Sequence, residues 1–456
     1  MAHPNELDAL YAFLAAAAVT ALLTPVTMRI ASAIGAIDQP RERGLSERPT
    51  PLLGGLAIFA GALVAGLIWL PAGYVQEAAA GPGGALARHQ LWHGVLLAAG
   101  VITLVGALDD RFDLHPAVKL LGQVLAAVIV VHFGVAVKAI TLPFIGRLHF
   151  PNAGAADAGP VLTVIGLVVM MNVVNLSDGV DGLAAGVCTI IAAAMAVIAF
   201  DLNRQQPGVL AALTAGAALG FLIYNFPPAS SFMGDCGANL LGLLMGVITV
   251  EAAVKTTVVV SFVLPLILLA VPFLDTTFVV LKRLKYKQPI YRPDREHFHH
   301  RMARIGFSSR RTIAYLYGWT LLLAGVALAL RFVPYSDHKG HLHTGWTLVM
   351  VALGLLAVAA SVYLVYVLEI LKFRRLDSVR LRRLRPEASP AEIESGVVRD
   401  LETGEIDAVS ADDGDGTSVG ALGAEQGVGQ REVDEDRVGA EDERGGSEAP
   451  IAADRG

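Results

Sequence analysis

Amides and carboxylates crowd a short stretch between two apolar runs, at residues 172–182, and their types suit a metal or phosphate site. The stretch reads Asn-Val-Val-Asn-Leu-Ser-Asp-Gly-Val-Asp-Gly, so four polar side chains recur at three-residue intervals from Asn172 to Asp181. An ionisable group beside hydrocarbon is costly unless it is paired or metal-bound, which makes each aspartate a candidate functional residue. Gly179 and Gly182 follow the two aspartates, and a residue without a Cβ lets the backbone turn tightly and approach a ligand closely.

This stretch has two plainer interpretations. It could be a polar turn that joins two helices, although a short turn needs fewer polar side chains than this one contains. It could also be a calcium loop, but an EF-hand loop places its ligands at alternate positions and ends on a glutamate. Asp178 and Asp181 are three residues apart, so the spacing does not fit.

A second acidic cluster lies at the end of another apolar run. Asp109 and Asp110 are adjacent, Asp113 follows, and Lys119 begins the next apolar run. Adjacent carboxylates can bind a hard divalent cation through oxygen, or one of them can act as a base. A lysine supplies a point charge for a phosphate. Helix capping and a salt bridge are the alternative explanation of the same residues.

Asp235 and a histidine-rich segment complete the set of candidate residues. Asp235 ends the motif Phe-Met-Gly-Asp just before an apolar run, where a carboxylate also suits a helix N-terminus. His297, His299 and His300 are followed by Arg301. Three histidines suit zinc, but the arginines around them would repel a cation and suit an anion such as a diphosphate. A solvated basic loop that binds lipid headgroups is the plainer alternative.

The composition indicates a polytopic membrane protein. The chain has 456 residues, of which 54% are hydrophobic and 17% charged, and its mean hydropathy is +0.57. Runs of about 17 to 25 apolar residues can span a bilayer as helices, so we predict an all-α protein with eleven transmembrane helices. The predicted spans are residues 8–33, 52–71, 91–108, 117–137, 160–174, 183–200, 208–224, 237–251, 257–280, 312–332 and 345–371.

Positive charges predict the orientation of these helices. Arginine and lysine cluster in the odd-numbered connections and after the last span, and such segments face the cytoplasm. With eleven spans, the N-terminus is then outside and the C-terminus is cytoplasmic. Every polar cluster falls on the cytoplasmic side, in connections that we expect to form one active-site cleft: residues 38–55, 109–119, 172–182, 225–236 and 282–311.

The chain divides into two regions of different composition. Residues 1–375 form the predicted multi-pass membrane domain, and residues 376–456 form a cytoplasmic tail that is first basic and then acidic. Residues 387–456 contain 20 acidic and 5 basic residues. Such a segment cannot bury enough apolar surface to offset its ordering entropy, so we predict that it is disordered from about residue 387.

Together these residues predict phosphoryl transfer at a membrane surface. Carboxylates suit Mg²⁺, lysine, histidine and arginine suit phosphate, and metal ions with positioned cations supply most of the catalysis in such reactions. A soluble donor and a lipid acceptor would meet at the cytoplasmic face. A membrane transporter is the main alternative of another class. It would place acids within the spans and show inverted repeats, and neither feature is visible in the sequence.

Four motifs in combination resemble those of the polyprenyl-phosphate N-acetylhexosamine-1-phosphate transferases, which are of the glycosyltransferase family 4 type. They are Asn-Val-Val-Asn-Leu-Ser-Asp-Gly-Val-Asp-Gly-Leu-Ala, Leu-Asp-Asp-Arg-Phe-Asp-Leu-His-Pro with Lys119, Phe-Met-Gly-Asp, and Pro-Asp-Arg-Glu-His-Phe-His-His-Arg from Pro293. The similarity spans nearly all of residues 8–375. The second and fourth motifs are closer to the branch that uses UDP-N-acetylglucosamine (UDP-GlcNAc) than to the branch that transfers phospho-MurNAc-pentapeptide.

The resemblance implies a Mg²⁺-dependent enzyme, with Mn²⁺ as a substitute, in the plasma membrane of a bacterium. Its reaction would convert UDP-GlcNAc and a polyprenyl phosphate, undecaprenyl or decaprenyl, to polyprenyl-diphosphate-GlcNAc and UMP, which initiates a cell-envelope polysaccharide. Transfer of phospho-MurNAc-pentapeptide in peptidoglycan synthesis is the alternative within the family. Both substrates and membrane lipid are the expected partners, a homodimer is left open, and no nucleic acid is expected.

The resemblance also assigns roles to individual residues, in a metal site, a nucleotide pocket, a phosphate-binding group and a catalytic group. Asp235 and Asp181 would hold Mg²⁺, while Phe232 would stack on uracil and Asn175 and Asp178 would line the nucleoside pocket. Asp109 or Asp110 would orient or deprotonate the lipid phosphate, so the catalytic residues would be Asp109, Asp110 and Asp235. The residues that would bind phosphate or the sugar are Lys119, His297, His299, His300 and Arg301.

One motif departs from the family pattern. Where the family has Lys and His before Pro-x-Pro-x-x-Gly-Gly, this chain has Gly44 and Ser46. Either Arg43 and Arg48 take over that charge or the donor is bound differently in this loop. The sequence therefore defines the reaction type more closely than it defines the sugar.

Overall fold

Helices make up most of the structure. The computed structural model describes residues 5–39, 49–70, 91–142, 146–149, 158–253, 309–334 and 343–370. In these residues the helices are α1 (Glu6–Ile34), α2 (Gly54–Trp69), α3 (Leu91–Phe112), α4 (Pro116–His132), α5 (Ala158–Ser177), α6 (Leu183–Asp201), α7 (Gln205–Asn225), α8 (Gly234–Ala253), α9 (Ser309–Phe332) and α10 (Thr344–Ile370).

These helices coincide with ten of the eleven predicted spans, and the other one, residues 257–280, lies outside the described residues. Of the described helices, eight are long and apolar enough to cross a membrane, whereas α2 and α4 are apolar but have only 16 and 17 residues. The chain is thus a mostly helical polytopic membrane protein. The total of eleven spans, their orientation, the cytoplasmic site and the disordered tail stay predictions.

Two short antiparallel strand pairs depart from the expected all-α pattern. β1 (Ile37–Asp38) pairs with β2 (Thr50–Pro51), and β3 (Ala139–Leu142) pairs with β4 (Gly146–His149). Strands of two to four residues are too short to show the alternation of apolar and polar residues that predicts a strand. The prediction of an all-α protein is therefore wrong at these segments. The first pair places Asp38 beside the start of α2.

Helix α8, which reaches the predicted site, is buried over most of its length. Every residue from Cys236 to Ile248 is buried, and the helix packs against α2, α3, α5 and α7. A Cβ at Gly55 on α2 would lie 2.1 Å from the backbone nitrogen of Gly237, and one at Gly106 on α3 would lie 2.4 Å from the Cα of Cys236. Small residues let helix backbones approach this closely in membranes, so backbone contact holds the first turn of α8 against α2 and α3.

Gly106→Ala should destabilise the protein because the new methyl group would overlap the α8 backbone, and overpacking of this kind costs about 1–3 kcal/mol. Gly166→Ala on α5 is the matched control, since no atom lies within 4 Å of a Cβ at that position and alanine favours a helix more than glycine does. We expect Tm in detergent to fall by several degrees for Gly106→Ala and to hold or rise for Gly166→Ala. Equal Tm values for the two variants would contradict the close contact.

Candidate active site

A lysine bridges two carboxylates where the ends of three helices meet. Asp109 lies in the last turn of α3, Lys119 in the first turn of α4 and Asp235 in the first turn of α8. Lys119 Nζ lies 2.6 Å from Asp109 Oδ2 and 2.5 Å from Asp235 Oδ2. The Asp109 side chain is only 7% exposed. One ammonium group thus compensates two acids that would otherwise repel each other close to hydrocarbon.

The short turn between α3 and α4 fixes where Lys119 lies. The backbone N–H of Leu114 donates to Asp109 Oδ1 at 2.9 Å, so the carboxylate that pairs with the lysine also holds the turn. His115 is the N-cap of α4, and its side chain accepts a hydrogen bond from the Ala117 N–H at 3.3 Å. A capped helix start gives Lys119 a defined direction.

Asp110 has a different partner from Asp109. Its Oδ1 accepts a hydrogen bond from the Asp235 N–H at 2.7 Å, and its Oδ2 accepts one from the Cys236 N–H at 3.2 Å. A carboxylate in this position accepts hydrogen bonds from free amides at the start of the helix, and the positive end of the helix dipole stabilises its charge. Gly234 leaves the necessary room: its φ is +67°, and a Cβ there would lie 2.3 Å from Asp110 Oδ2. Asp110 therefore caps α8 from another helix and sets the direction of Asp235.

Asn175 and Asp178 bring the α5–α6 connection to the same acids. Asn175 Nδ2 donates to Asp235 Oδ1 at 2.9 Å. Burial among surrounding atoms raises the pKa of the Asp178 carboxyl well above its ordinary value, and the negative charges of Asp235, Asp110 and Asp181 raise it further. A carboxyl in this environment is stabilised in its charged form by a bound cation or hydrogen-bond donor.

Asn225 joins the α5–α6 connection to the α7–α8 connection. Its Oδ1 accepts from the Gly182 N–H at 2.8 Å, and its Nδ2 donates to the Ser231 carbonyl at 3.0 Å. A second link runs from the Ala229 N–H to Asp181 Oδ2 at 2.9 Å. Burial raises the pKa of Asp181, and this hydrogen bond opposes the shift. The two connections are therefore held together by side chains on both sides.

Helix α9 supports both connections from outside. Arg310 Nε donates to the Pro227 carbonyl at 3.1 Å, and Tyr317 Oη donates to the Gly182 carbonyl at 2.5 Å. Gly186 makes room for the tyrosine, since a Cβ there would lie 1.8 Å from the Tyr317 oxygen. The helix that follows the predicted basic loop thus contacts the loops of the acidic site directly.

Phe232 is placed by backbone pairing with the start of α2. Its N–H donates to the Pro51 carbonyl at 2.9 Å, and its carbonyl accepts from the Gly54 N–H at 3.0 Å. The Gly55 N–H donates to the Met233 carbonyl at 2.9 Å. The Pro-x-Pro-x-x-Gly-Gly motif is therefore the backbone partner of Phe-Met-Gly-Asp.

These segments surround a cavity of about 410 Å³. Asp109 and Lys119 adjoin it through Asp235, and Asn225 and Ser309 also line it. The structure thus brings together most of the predicted site residues that it describes. Those that line the cavity are Asp110, Asn175, Asp178, Asp181, Phe232 and Asp235.

The cluster of carboxylates fits a divalent metal ion. Among the described residues, Asp109, Asp110 and Asp235 each offer an oxygen atom, and these atoms lie within 4.8 Å of one another. Carboxylate oxygens are the protein ligands that suit Mg²⁺. Asp235 Oδ2 is buried, and its partner is the ammonium group of Lys119. Asp181, the other predicted metal ligand, faces the same cavity but is not part of this group.

Known proteins with similar sequences have a common activity in their names. The profile of glycosyl transferase family 4 matches residues 92–253. The chain is 34% identical over 325 residues to the probable undecaprenyl-phosphate N-acetylglucosaminyl 1-phosphate transferase of Bacillus subtilis (strain 168), across 70% of this chain and 84% of that protein. It is 33% identical over 347 residues to the decaprenyl-phosphate N-acetylglucosaminephosphotransferase of Mycobacterium tuberculosis (strain ATCC 25618 / H37Rv), across 70% and 82%. It is 27% identical over 319 residues to the undecaprenyl-phosphate alpha-N-acetylglucosaminyl 1-phosphate transferase of Yersinia pestis, across 68% and 81%.

The chain belongs to the polyprenyl-phosphate N-acetylhexosamine-1-phosphate transferases of glycosyl transferase family 4. The family predicted from the four motifs is thereby confirmed. Two sets of predicted residues of this transferase lie outside the described residues, so their roles stay predictions. They are the phosphate-binding residues of the basic loop, and Gly44 and Ser46, where the chain departs from the family pattern. The basic-loop residues are His297, His299, His300 and Arg301.

Two residues that hold the loops of the transferase in place were not predicted from the sequence. Asn225 is an amide at the end of an apolar span, directly before Phe-Pro-Pro, and a polar residue at that place is a signal that could have been used. Tyr317 lies inside an apolar run, and nothing in its sequence neighbourhood marks it. Its contact with Gly182 depends on the packing of α9 against α6.

Asp110→Asn should harm the transferase more than Asp113→Asn does. An asparagine would turn an NH₂ group toward one of the two α8 amides, and loss of a hydrogen bond to a charged group costs about 1.5–3 kcal/mol. Asp113 is exposed and loses the same charge. We expect a lower Tm and a turnover lowered about tenfold or more for Asp110→Asn, with both quantities near wild type for Asp113→Asn. A wild-type Tm in the Asp110→Asn variant would rule out the capping role.

Proposed function

We propose that this transferase moves GlcNAc-1-phosphate from UDP-GlcNAc to a polyprenyl phosphate. The proposal rests on the cluster of Asp109, Lys119 and Asp235, which places two acids and a cation beside a cavity of about 410 Å³. That combination suits a diphosphate together with its counter-ion. The relatives are named for undecaprenyl or decaprenyl phosphate and for N-acetylglucosamine phosphate transfer, which supports the same substrates here.

The proposed reaction is a displacement at phosphorus. An oxygen of the polyprenyl phosphate attacks the β-phosphorus of UDP-GlcNAc, the bond from that phosphorus to the bridging oxygen breaks, and UMP leaves with the bridging oxygen. The products are polyprenyl-diphosphate-GlcNAc and UMP. A phosphate monoester loses its second proton at about pH 6. The lipid phosphate is therefore already a dianionic nucleophile at neutral pH and needs no strong base.

The two adjacent aspartates have positional roles in this proposal. Asp109 is held by Lys119 and by the Leu114 N–H, and Asp110 is held by two amides of α8. Both carboxylates therefore already have partners, which favours direct attack by the lipid phosphate over a covalent intermediate on either aspartate. Asp109 instead holds the ammonium group of Lys119 in place, and this ammonium group can orient the lipid phosphate or the donor diphosphate. Asp109 thus contributes to catalysis through position and charge.

We assign Mg²⁺ to Asp235 and Asp181, which line the same cavity, and Asp109 and Asp110 offer further carboxylate oxygens beside Asp235. Mn²⁺ would suit the same oxygen ligands. When bound, the metal ion would neutralise charge on the donor diphosphate and on the leaving UMP. Lys119 supplies a second positive charge, and Asn175 keeps one oxygen of Asp235 in a fixed direction.

The nucleoside would lie in the cavity against the α5–α6 and α7–α8 connections. We assign Asn175 and Asp178 to the nucleoside and Phe232 to stacking on uracil, since all three line the cavity. His297, His299, His300 and Arg301 are proposed to bind phosphate or sugar. The charge pattern of the sequence favours the cytoplasmic face as the place of reaction, and the bacterial relatives favour the plasma membrane of a bacterium.

Purified enzyme in detergent provides the test of the proposed donor and acceptor. Radiolabelled UDP-GlcNAc with polyprenyl phosphate and Mg²⁺ should give labelled lipid and one UMP per lipid formed, whereas UDP-MurNAc-pentapeptide should give none. Asp235→Asn should lower turnover about 100-fold or more, because a positioned charge beside the reacting phosphates is lost. Asp201→Asn, which removes a carboxylate paired with Arg331 at the other end of α6, is the control. Lipid labelling from UDP-MurNAc-pentapeptide alone would refute the proposed donor.

A further inference from the structure

Three amide side chains lie one helical turn deeper in the helices than three polar residues of the site. On α4, Gln123 follows Lys119 by four residues, and on α8, Asn239 follows Asp235 by four residues. On α5, the amide precedes Asn175 by three residues. Residues three or four apart lie on the same face of a helix, so each helix presents one site residue and one amide beneath it. We call this set the amide layer: Gln123, Asn172 and Asn239.

The amide layer forms a continuous chain of hydrogen bonds. Asn172 Nδ2 donates to Gln123 Oε1 at 2.8 Å, and Gln123 Nε2 donates to Asn239 Oδ1 at 2.8 Å. Asn239 Nδ2 then donates to the backbone carbonyl of Asp235 at 2.8 Å. The chain therefore connects α5 to α4, α4 to α8, and finally reaches the residue that pairs with Lys119.

Backbone carbonyls at both ends fix the direction of this chain. Asn239 must donate to the Asp235 carbonyl, since a carbonyl can only accept, and its oxygen is then left to accept from Gln123. At the other end, Asn172 Nδ2 also donates to the Val168 carbonyl at 2.8 Å. Every amide in the layer thus has one orientation that satisfies its partners, and the layer cannot reverse without losing a bond at each end.

Two of the three amides are buried, where lost hydrogen bonds are costly. Gln123 is 5% exposed and Asn239 is 4% exposed, whereas Asn172, at the end of the chain of hydrogen bonds, is exposed. A buried amide whose partner is removed keeps its desolvation cost and loses its hydrogen bond. The three helices are therefore held at the spacing at which all the amides are satisfied.

We propose that the amide layer positions the charged groups of the active site, by setting the spacing of α4, α5 and α8. At that spacing Lys119 and Asn175 both reach Asp235. Gln123 and Asn239 are then positioning residues that touch no substrate and act through Lys119 and Asp235. This inference rests on the proposed function, since the reaction is what the positioned charges serve.

The test uses Gln123→Met and Asn239→Leu, which keep side-chain volume and remove the amide. Both purified variants should keep the KM for UDP-GlcNAc within about threefold, because the nucleoside residues are not part of the layer, while kcat falls about tenfold. The double variant should be no slower than the slower single variant, because one broken link already releases the helices. Gln206→Met is the matched control. It removes a glutamine that accepts from Trp92 Nε1 at the other end of α3.

Each outcome separates this inference from the proposed function. Wild-type kcat in both layer variants would overturn the positioning role and leave the function standing. An equal fall in kcat for Gln206→Met would also overturn the positioning role, since the loss of any amide in the helices would then have the same effect. No turnover by the wild-type enzyme would instead refute the proposed function. If Gln123→Met gives no monodisperse protein, Gln123→Asn, whose shorter amide cannot reach both partners, is measured in its place with the same expected fall in kcat.

Discussion

The arrangement of the site depends on one ammonium group placed between two carboxylates. Lys119 Nζ lies 2.6 Å from Asp109 and 2.5 Å from Asp235, and these residues belong to three different helices. Two like charges 4 Å apart repel by about 4 kcal/mol at the effective dielectric constant of about 20 that applies near a protein surface. Without the lysine, this repulsion would raise the free energy of the state in which the acids at the ends of α3 and α8 are both ionised. With it, the two acids and Lys119 together have a net charge of −1, and the adjacent Asp110 adds to the negative charge that suits a divalent cation.

The elements around this cluster hold it by close backbone packing and by side chains that bond to backbone groups of other elements. At the start of helix α8, Gly234 leaves room for Asp110 to accept hydrogen bonds from two free amides of the helix. Small residues on α2 and α3 let the first turn of α8 pack against the backbones of those two helices. Asn225 joins the α5–α6 connection to the α7–α8 connection, and Tyr317 on α9 bonds to the first of them. The charged groups therefore lie on helix ends and braced loops, an arrangement that positions reacting groups more accurately than free loops do.

Local pattern in the sequence predicts much of this, and pairing between distant segments explains the rest. Ten of eleven predicted spans coincide with helices because apolar length is a local property. The convergence of Asp110, Asn175 and Asp235 follows from their shared place at the ends of spans. The cap that Asp110 provides depends on a contact with a helix 125 residues away, and the link from Gln123 to Asn239 spans 116 residues, so no local pattern indicates either. The short strands escaped prediction because two to four residues show no period.

If the carboxylates position and neutralise charge without forming a covalent bond, the lipid phosphate attacks the donor directly. Isotope exchange tests this most directly. Enzyme stripped of all lipid phosphate is incubated with labelled UMP, unlabelled UDP-GlcNAc and Mg²⁺, and the label in UDP-GlcNAc is measured over many turnover times. Direct displacement predicts no exchange until polyprenyl phosphate is added, because UMP cannot leave before the acceptor attacks. Label that enters UDP-GlcNAc without lipid, and is abolished by Asp109→Asn or Asp110→Asn, would show that one of these aspartates becomes free of its partners and takes up phospho-GlcNAc itself.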